Sequence, residues 1–456
     1  MSSFSEADAI AETPAYGSDA LIIDGQHHPI TLDMIDPDAL HVLKKLNSSG
    51  FVGYLVGGGV RDLYLGNKPK DFDISTDAKP GQLRKLFPNS TTIGRRFRLV
   101  QVFFRGGKVI EVSTLRSLSE HDLDGPEHVL APNNTFGTLS EDAQRRDLTI
   151  NALFYEIKDK IIIDYVEGVK DLQNSIVRMV GAPVKRFIHD PVRMMRAIRH
   201  SARNSFAIEE HTWKAICSNS SKLALCPPSR LRDELLKDIY SGESSPWFDL
   251  AMSSTIFLSL FPIYRTILSE DSRDSTVTVK QLSQTFSTID RTNKIALDHK
   301  IHRQSDFFFF ALILIPWVES RYQLLSTYRK GPQLFQISKQ IRADLDRTIG
   351  VDLNLRRSLR QEIVSLQTNL SVLIHNRKDN SWPKWLQNKS YFKKCLLFYN
   401  FYTEITGGPS VTEKQLQSES AGRPEIKLLP SKTRSPGRTK PALSPTTKGG
   451  IFGFKK

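Results

Sequence analysis

The sequence predicts an α+β protein: a head built on a small mixed β-sheet, then mostly α-helical neck and body segments, then a disordered basic tail. Three observations carry that reading. Strand and hairpin signals are confined to the early part of the chain, whereas from Trp247 to about Thr406 the apolar spacing is helical. After Gly407-Gly408-Pro409 the composition turns to Pro, Ser, Thr, Gly and Lys/Arg, too polar to bury a core. A chain of 456 residues should divide into two or three structural units. The expected divisions are 36–165 (head), 166–242 (neck) and 243–406 (helical body), between a flexible N-terminal arm at 1–35 and a disordered tail at 407–456.

Charge and cysteine usage narrow the function classes. The net charge of +14 favours an anionic partner such as nucleic acid. Residues 421–456 carry nine Lys and Arg against Glu425 alone, so the tail suits a salt-sensitive, nonspecific RNA tether. Cys217, Cys226 and Cys395 lack metal-ligand spacing and fit buried thiols in a reducing cytosol. The first twenty residues contain acids and no Lys or Arg, which argues against a secretory or transit peptide. Phe307–Val318, the most apolar run, falls short of the ~20 residues a bilayer needs, so it should be a buried helix. A cytoplasmic protein with no membrane partner is expected.

Within the head, Leu40–Leu46 reads as a helix ended by Asn47-Ser48-Ser49-Gly50. The stretch Gly53–Asp77, GYLVGGGVRDLYLGNKPKDFDISTD, is the one around which the head is organised. A short apolar run meets Gly57, Gly58 and Gly59 and then a helical pattern, giving strand, glycine turn and helix. Glycines let a ligand approach the backbone, a helix N-terminus suits a phosphate, and Arg61 adds a permanent cation. Asp71 and Asp73 are spaced so that an extended chain turns both carboxylates to one side. Such a pair suits Mg²⁺ bound together with substrate phosphates, although a lone Asp-x-Asp triplet is more often a solvated strand end. Lys79–Phe87 reads as a short helix. Phe97–Phe104 and Val109–Leu115 flank Arg105-Gly106-Gly107-Lys108 as a hairpin. Glu111, between Ile110 and Val112, is the candidate third carboxylate of the metal site, provided its side of the sheet is wet.

Four texts together, GGGVRD followed by DFD, GRRFRLVQV, RRDLTINA and KRFIHDPVRMMRAIRH, resemble the nucleotidyltransferases that extend RNA 3′ ends. These are the bacterial poly(A) polymerases and the CCA-adding enzymes. The resemblance runs from residue 51 to about 262 and implies a nucleotidyltransferase head with a helical neck. It implies that Gly57, Gly58, Arg61 and Arg145 or Arg146 hold a triphosphate, that Asp147 lies near the catalytic acids, and that Asn151 holds the helix. It puts Asp190 and Arg193 on the base-reading positions and Arg196 on a nucleotide-contacting one. Arg193, Arg196 and Arg199 should form a stripe on a single helix over 185–202, with Ser229 capping the next helix at Arg230. The chain departs from the pattern at His189, where Glu is usual, and at His200, where Phe is usual.

The GRRF text and the basic tail favour the poly(A) polymerase branch. The implied reaction adds AMP from ATP to an RNA 3′-OH and releases pyrophosphate. Two Mg²⁺ ions would be held by Asp71 and Asp73 with Glu111 or Asp147. The partners implied are the 3′ ends of mRNA and other transcripts, ATP, and RNA-decay machinery. Two alternatives remain open: a CCA-adding tRNA nucleotidyltransferase, and a catalytically degenerate RNA-binding protein, which His189 and His200 would suit. Ser117–Gly137 is expected to be a mobile loop near the site.

Overall fold

The computed structural model describes residues 16–17, 19–94, 98–117, 136–269, 275–378 and 381–420. Arg95 and Arg96, most of the Ser117–Gly137 segment and the basic tail beyond residue 420 lie outside the described residues.

Eight strands form the head sheet: β1 (Leu21–Ile23), β2 (Gly53–Val56), β3 (Asp73–Thr76), β4 (Ser90–Ile93), β5 (Leu99–Phe103), β6 (Val109–Thr114), β7 (Phe154–Glu156) and β8 (Ile161–Asp164). Their spatial order is β1-β8-β7-β2-β3-β6-β5-β4. The sheet is mixed, because β3 runs parallel to β6 while the other pairs are antiparallel. Side-chain alternation divides its two faces. Leu55, Ile74 and Val112 enter the large core that continues into the neck and body. Tyr54, Val56 and Phe154 enter a smaller cluster with Leu139 and Ala143 of the helix Leu139–Gln144. Close packing fixes the entry to β2: a Cβ on Gly53 would stand 3.2 Å from Leu46 Cδ1, on the helix Pro37–Ser48.

Several expectations need correction. Residues 1–35 are not all a loose arm, since Leu21–Ile23 pairs along β8 and Ile30 and Ile35 are buried in the core. Nor does disorder begin at 407: Glu413–Ser420 is a helix, and Val411 and Leu416 are buried apolar side chains that anchor it. The neck segment 185–202 is two helices, Pro183–His189 and Val192–Asn204. The break falls at Asp190-Pro191, because proline disfavours helical geometry in the residue before it. In the same way Phe307–Val318 is buried, but as parts of two helices, Asp306–Ile313 and Ile315–Tyr322. The helix expected to be capped by Ser229 and to begin at Arg230 instead begins at Pro228, a residue that suits a first helical position. Cys217 is exposed, whereas Cys226 and Cys395 are buried. Among the described residues no helix is long and apolar enough to cross a membrane.

Candidate active site

Local sequence places the first wall of the site. Gly57 ends β2 with φ 68°, a conformation that L side chains rarely adopt. The helix Gly58–Tyr64 starts there, and a Cβ at Gly57 would also meet Arg146 Nη1 at 3.4 Å. Arg61 does not stand free in solvent. Its Nε donates to Asp62 Oδ1 (2.9 Å) and its Nη1 donates to Asn151 Oδ1 (2.6 Å), with His200 Nδ1 3.2 Å away. Asn151 thus holds the helix through Arg61. His200, on the neck helix, closes the same buried junction.

The acidic side comes from neighbouring strands. Asp71 and Asp73 face solvent while Phe72 and Ile74 are buried, so the carboxylates share a side. Parallel pairing sets Asp73 directly beside Glu111, whose Oε1 accepts from Gln101 Nε2 (2.9 Å). Burial, then the charges of Glu111 and Asp71, push the Asp73 carboxyl up to about 6, against the opposing pull of Arg146. Protein crowds this carboxyl even though it opens onto the cleft.

Asp142 builds the basic side, and sequence reasoning alone misses it. Although fully buried, it receives Arg145 Nε on Oδ1 (2.7 Å) and Arg146 Nη2 on Oδ2 (2.8 Å). Arg146 Nη2 also reaches Ser75 Oγ (3.4 Å), and its guanidinium lies 5.0 Å from the Phe154 ring centroid. Only the adjacent Arg-Arg pair three and four residues beyond it could have pointed to such a partner.

Asp147 sits against the neck rather than the other acids. Its Oδ2 pairs with Arg196 Nε at 2.6 Å. Burial alone would raise its carboxyl, but Arg196 and Arg193 hold it well below the usual range. Asp190 Oδ2 accepts from Arg230 Nη2 (2.8 Å), with Arg193 Nε 3.7 Å away. Asp190 Oδ1 is buried and has no hydrogen-bond partner among the described residues. Arg193 is itself fixed by the carbonyls of Arg145 and Arg146 (3.3 and 3.4 Å). The expected stripe divides here: Arg193 and Arg196 face the cleft, but Arg199 is buried and bound by Asp238 and Glu234.

A cleft of about 550 Å³ gathers these groups. Gly57, Gly58, Arg61, Asp73, Glu111, Arg145, Arg146, Asp147, Asp190, Arg193 and Arg196 all line it, joined by Asn151, His200 and Arg230. Asp71, expected in the same site, is not among the residues that line it, although its charge acts on Asp73. Among the described residues no three His, Cys, Asp or Glu side chains form a ready cluster for a metal ion. One or two carboxylates completed by substrate phosphates remain a fitting donor set for Mg²⁺.

Comparison with known proteins bears on this cleft. Residues 53–178 match the family model described as the poly A polymerase head domain. Residues 205–268 match a probable RNA and SrmB-binding site of polymerase A. Poly(A) polymerase I of Escherichia coli O6:H1 is 38% identical over 338 residues, 72% of this chain and 69% of that one. The chain belongs to the bacterial poly(A) polymerase/tRNA nucleotidyltransferase family. Poly(A) polymerase I of Salmonella typhi is 39% identical over 305 residues, and the chain spans 64% of its length. The family's other branch also matches: a CCA-adding enzyme of Lactobacillus helveticus is 42% identical over 200 residues, 44% of this chain and 49% of that one. The fold is that of the nucleotidyltransferases. The Bacillus stearothermophilus CCA-adding enzyme in complex with CTP superposes with a TM-score of 0.58 at 22% identity, covering 85% of this chain and 82% of that one.

Proposed function

We propose that the cleft adds AMP from ATP to RNA 3′-OH ends without a template and releases pyrophosphate, making the protein a poly(A) polymerase. The observation that carries the proposal is the Asp73–Glu111 register, which faces a wall of fixed arginines across one cleft. Asp71, Asp73 and Glu111 would hold two Mg²⁺ ions, which when bound activate the 3′-OH and stabilise charge on the pentacoordinate phosphorus. The glycine turn and Arg146 suit the triphosphate, because both leave donors where a phosphate can approach. Asp142 keeps Arg145 and Arg146 in place, so orientation is set before substrate arrives.

The base is read from the neck side. A free acceptor at Asp190 Oδ1 suits an exocyclic amine, which adenine and cytosine carry and guanine and uracil lack at the corresponding position. That feature leaves a CCA-adding enzyme as the second reading, and the CCA-adding relatives support it. The poly(A) polymerase reading is preferred because the matches to the poly(A) polymerases I extend over 240 to 338 residues and that to the Lactobacillus helveticus CCA-adding enzyme over 200. Under this proposal the neck and body hold RNA, the protein works in the cytoplasm, and RNA-decay machinery is a partner.

The test is an extension assay with Mg²⁺, each triphosphate being supplied alone and in mixture. A long ladder on unstructured RNA with ATP alone is expected. Addition that stops after CCA on a tRNA lacking its 3′ end would transfer the protein to the other branch.

A further inference from the structure

We propose that one end of the helical body is a stacking platform for single-stranded RNA, which would hold the transcript upstream of the 3′ end in the cleft. The proposal rests on the reading of the chain as an RNA-extending enzyme. Among the described residues the exposed large aromatics are Phe136, Tyr328, Phe335, Trp385 and Tyr391, and only Phe136 belongs to the head. Phe335 is 58% exposed and Trp385 54%, more than packing accounts for.

The fold brings Tyr328, Phe335 and Trp385 to the same end of the helix pair. The last turns of the helix Gly331–Arg347 lie beside the first turn of the helix Arg357–Asn376, where Arg342 Nη2 donates to the Arg357 carbonyl (3.0 Å) and Arg360 Nη1 pairs with Asp346 Oδ1 (2.8 Å), while Tyr328, just before the former helix, meets His375 in the last turn of the latter, so the two run antiparallel. The first turns of the former, with Phe335, therefore lie toward the last turns of the latter. There Tyr328 stacks on His375, with ring centroids 4.8 Å apart. Trp382 Nε1 donates to the Leu373 carbonyl (3.0 Å) and brings the short helix Lys384–Gln387, with Trp385, to the same end.

Two of the three rings have a cation beside them, and the third follows a lysine in sequence. Lys330 Nζ lies 4.8 Å from the Tyr328 centroid and Lys339 Nζ 4.6 Å from that of Phe335, while Lys384 precedes Trp385. Residues 328–343 contain no acid at all. Exposed rings interleaved with cations suit a polyanion whose bases can stack, and they suit it with little regard to sequence. A run of sixteen residues with cations and no acid fits RNA better than a mixed-charge protein face.

The platform is tested with the full chain and fluorescent oligoadenylates of roughly twenty and roughly five nucleotides, lengths that do and do not reach beyond one binding site. The triple variant Y328A/F335A/W385A should bind the long RNA about tenfold to a hundredfold more weakly. Its affinity for the short RNA, its extension rate on saturating short RNA and its unfolding midpoint should not change. Replacing Lys330, Lys339 and Lys384 with Gln should flatten the salt dependence by about 0.7 per lysine removed. Unchanged long-RNA binding by the ring variant would overturn the platform and leave the surface to a protein partner. Equal weakening for both RNA lengths would also overturn it. If the wild type adds no nucleotide yet binds long RNA through these rings, the platform stands and the polymerase reading fails.

Discussion

The head–neck cleft and the body core spend their side chains in opposite ways. In the body, Phe308, Phe309, Phe310 and Phe398 are almost wholly buried in one apolar core. In the cleft, crowded charge is plentiful: the Asp73 carboxyl is pushed up to about 6, that of Asp147 is pulled down by arginines, and Asp190 Oδ1 has no partner among the described residues. A fold optimised only for stability would remove such conflicts, so their concentration in one cleft marks where ligand completes the structure. The body core should therefore respond to substitution through stability, and the cleft through activity.

The sharpest separation is expected from Asp73→Ala. Nucleotide addition should fall on the order of a thousandfold or more, while relieved repulsion leaves the unfolding midpoint unchanged or slightly raised. Calorimetry beside the extension assay reads both, and a large loss of stability would break the contrast. Phe308→Ala is the mirror image. It removes a ring that packs 4.9 Å from Phe401 and 5.2 Å from Phe398, centroid to centroid. About 3–5 kcal/mol of stability should be lost, with turnover per folded molecule unchanged at a temperature where the variant is folded.

Asp142 tests the boundary between the two behaviours, because it serves the cleft from a buried position. Asp142→Asn should cost roughly 3 kcal/mol and raise KM for the triphosphate by about tenfold. Burial would raise this carboxyl, but Arg146 and Arg145 hold it below the ordinary range. A lowered folded-state pKa contributes stability that is present above the unfolded value near 4 and is lost as pH falls through the folded value. Acid unfolding of the wild type should therefore steepen below about pH 4. The Asn variant should show a shallower slope in that window, as denaturant titrations at stepped pH would reveal.

How far the sequence could be read obeys the same division. The facing of Asp73 and Glu111 was legible because strand alternation rests on period two, but their side-by-side register belongs to the parallel β3–β6 pair, which the local hairpin around Arg105–Lys108 does not set. The neck break at Asp190-Pro191 was missed because Arg193, Arg196 and Arg199 keep helical spacing across the segment beyond the proline. Arg199 has the same spacing as its neighbours but faces Glu234 and Asp238, thirty-five and thirty-nine residues away in sequence. No local pattern encodes that choice. Asp142 and Arg230 were invisible for a related reason: each acts by holding another charged group whose position only the tertiary fold determines. The arm around Leu21–Ile23 escaped because a three-residue edge strand carries almost no periodic signal.

Arg230 offers the finest test of the comparison. Its Nη2 holds Asp190 Oδ2 at 2.8 Å, while Oδ1 has no hydrogen-bond partner among the described residues, and both residues line the cleft. If Asp190 distinguishes an amine from a carbonyl by that oxygen, its orientation matters as much as its charge. Arg230→Gln retains one donor and removes the fork and the cation. Preference for ATP over GTP should drop by about ten- to a hundredfold, in line with 1–3 kcal/mol per bidentate contact. Stability should change by less than about 1 kcal/mol, since the arginine is part-exposed. Asp190→Asn should lose the same preference with Arg230 intact, and the double variant should be no worse than either single one. Additive losses in that cycle would show that Arg230 acts on the base directly and not by positioning Asp190.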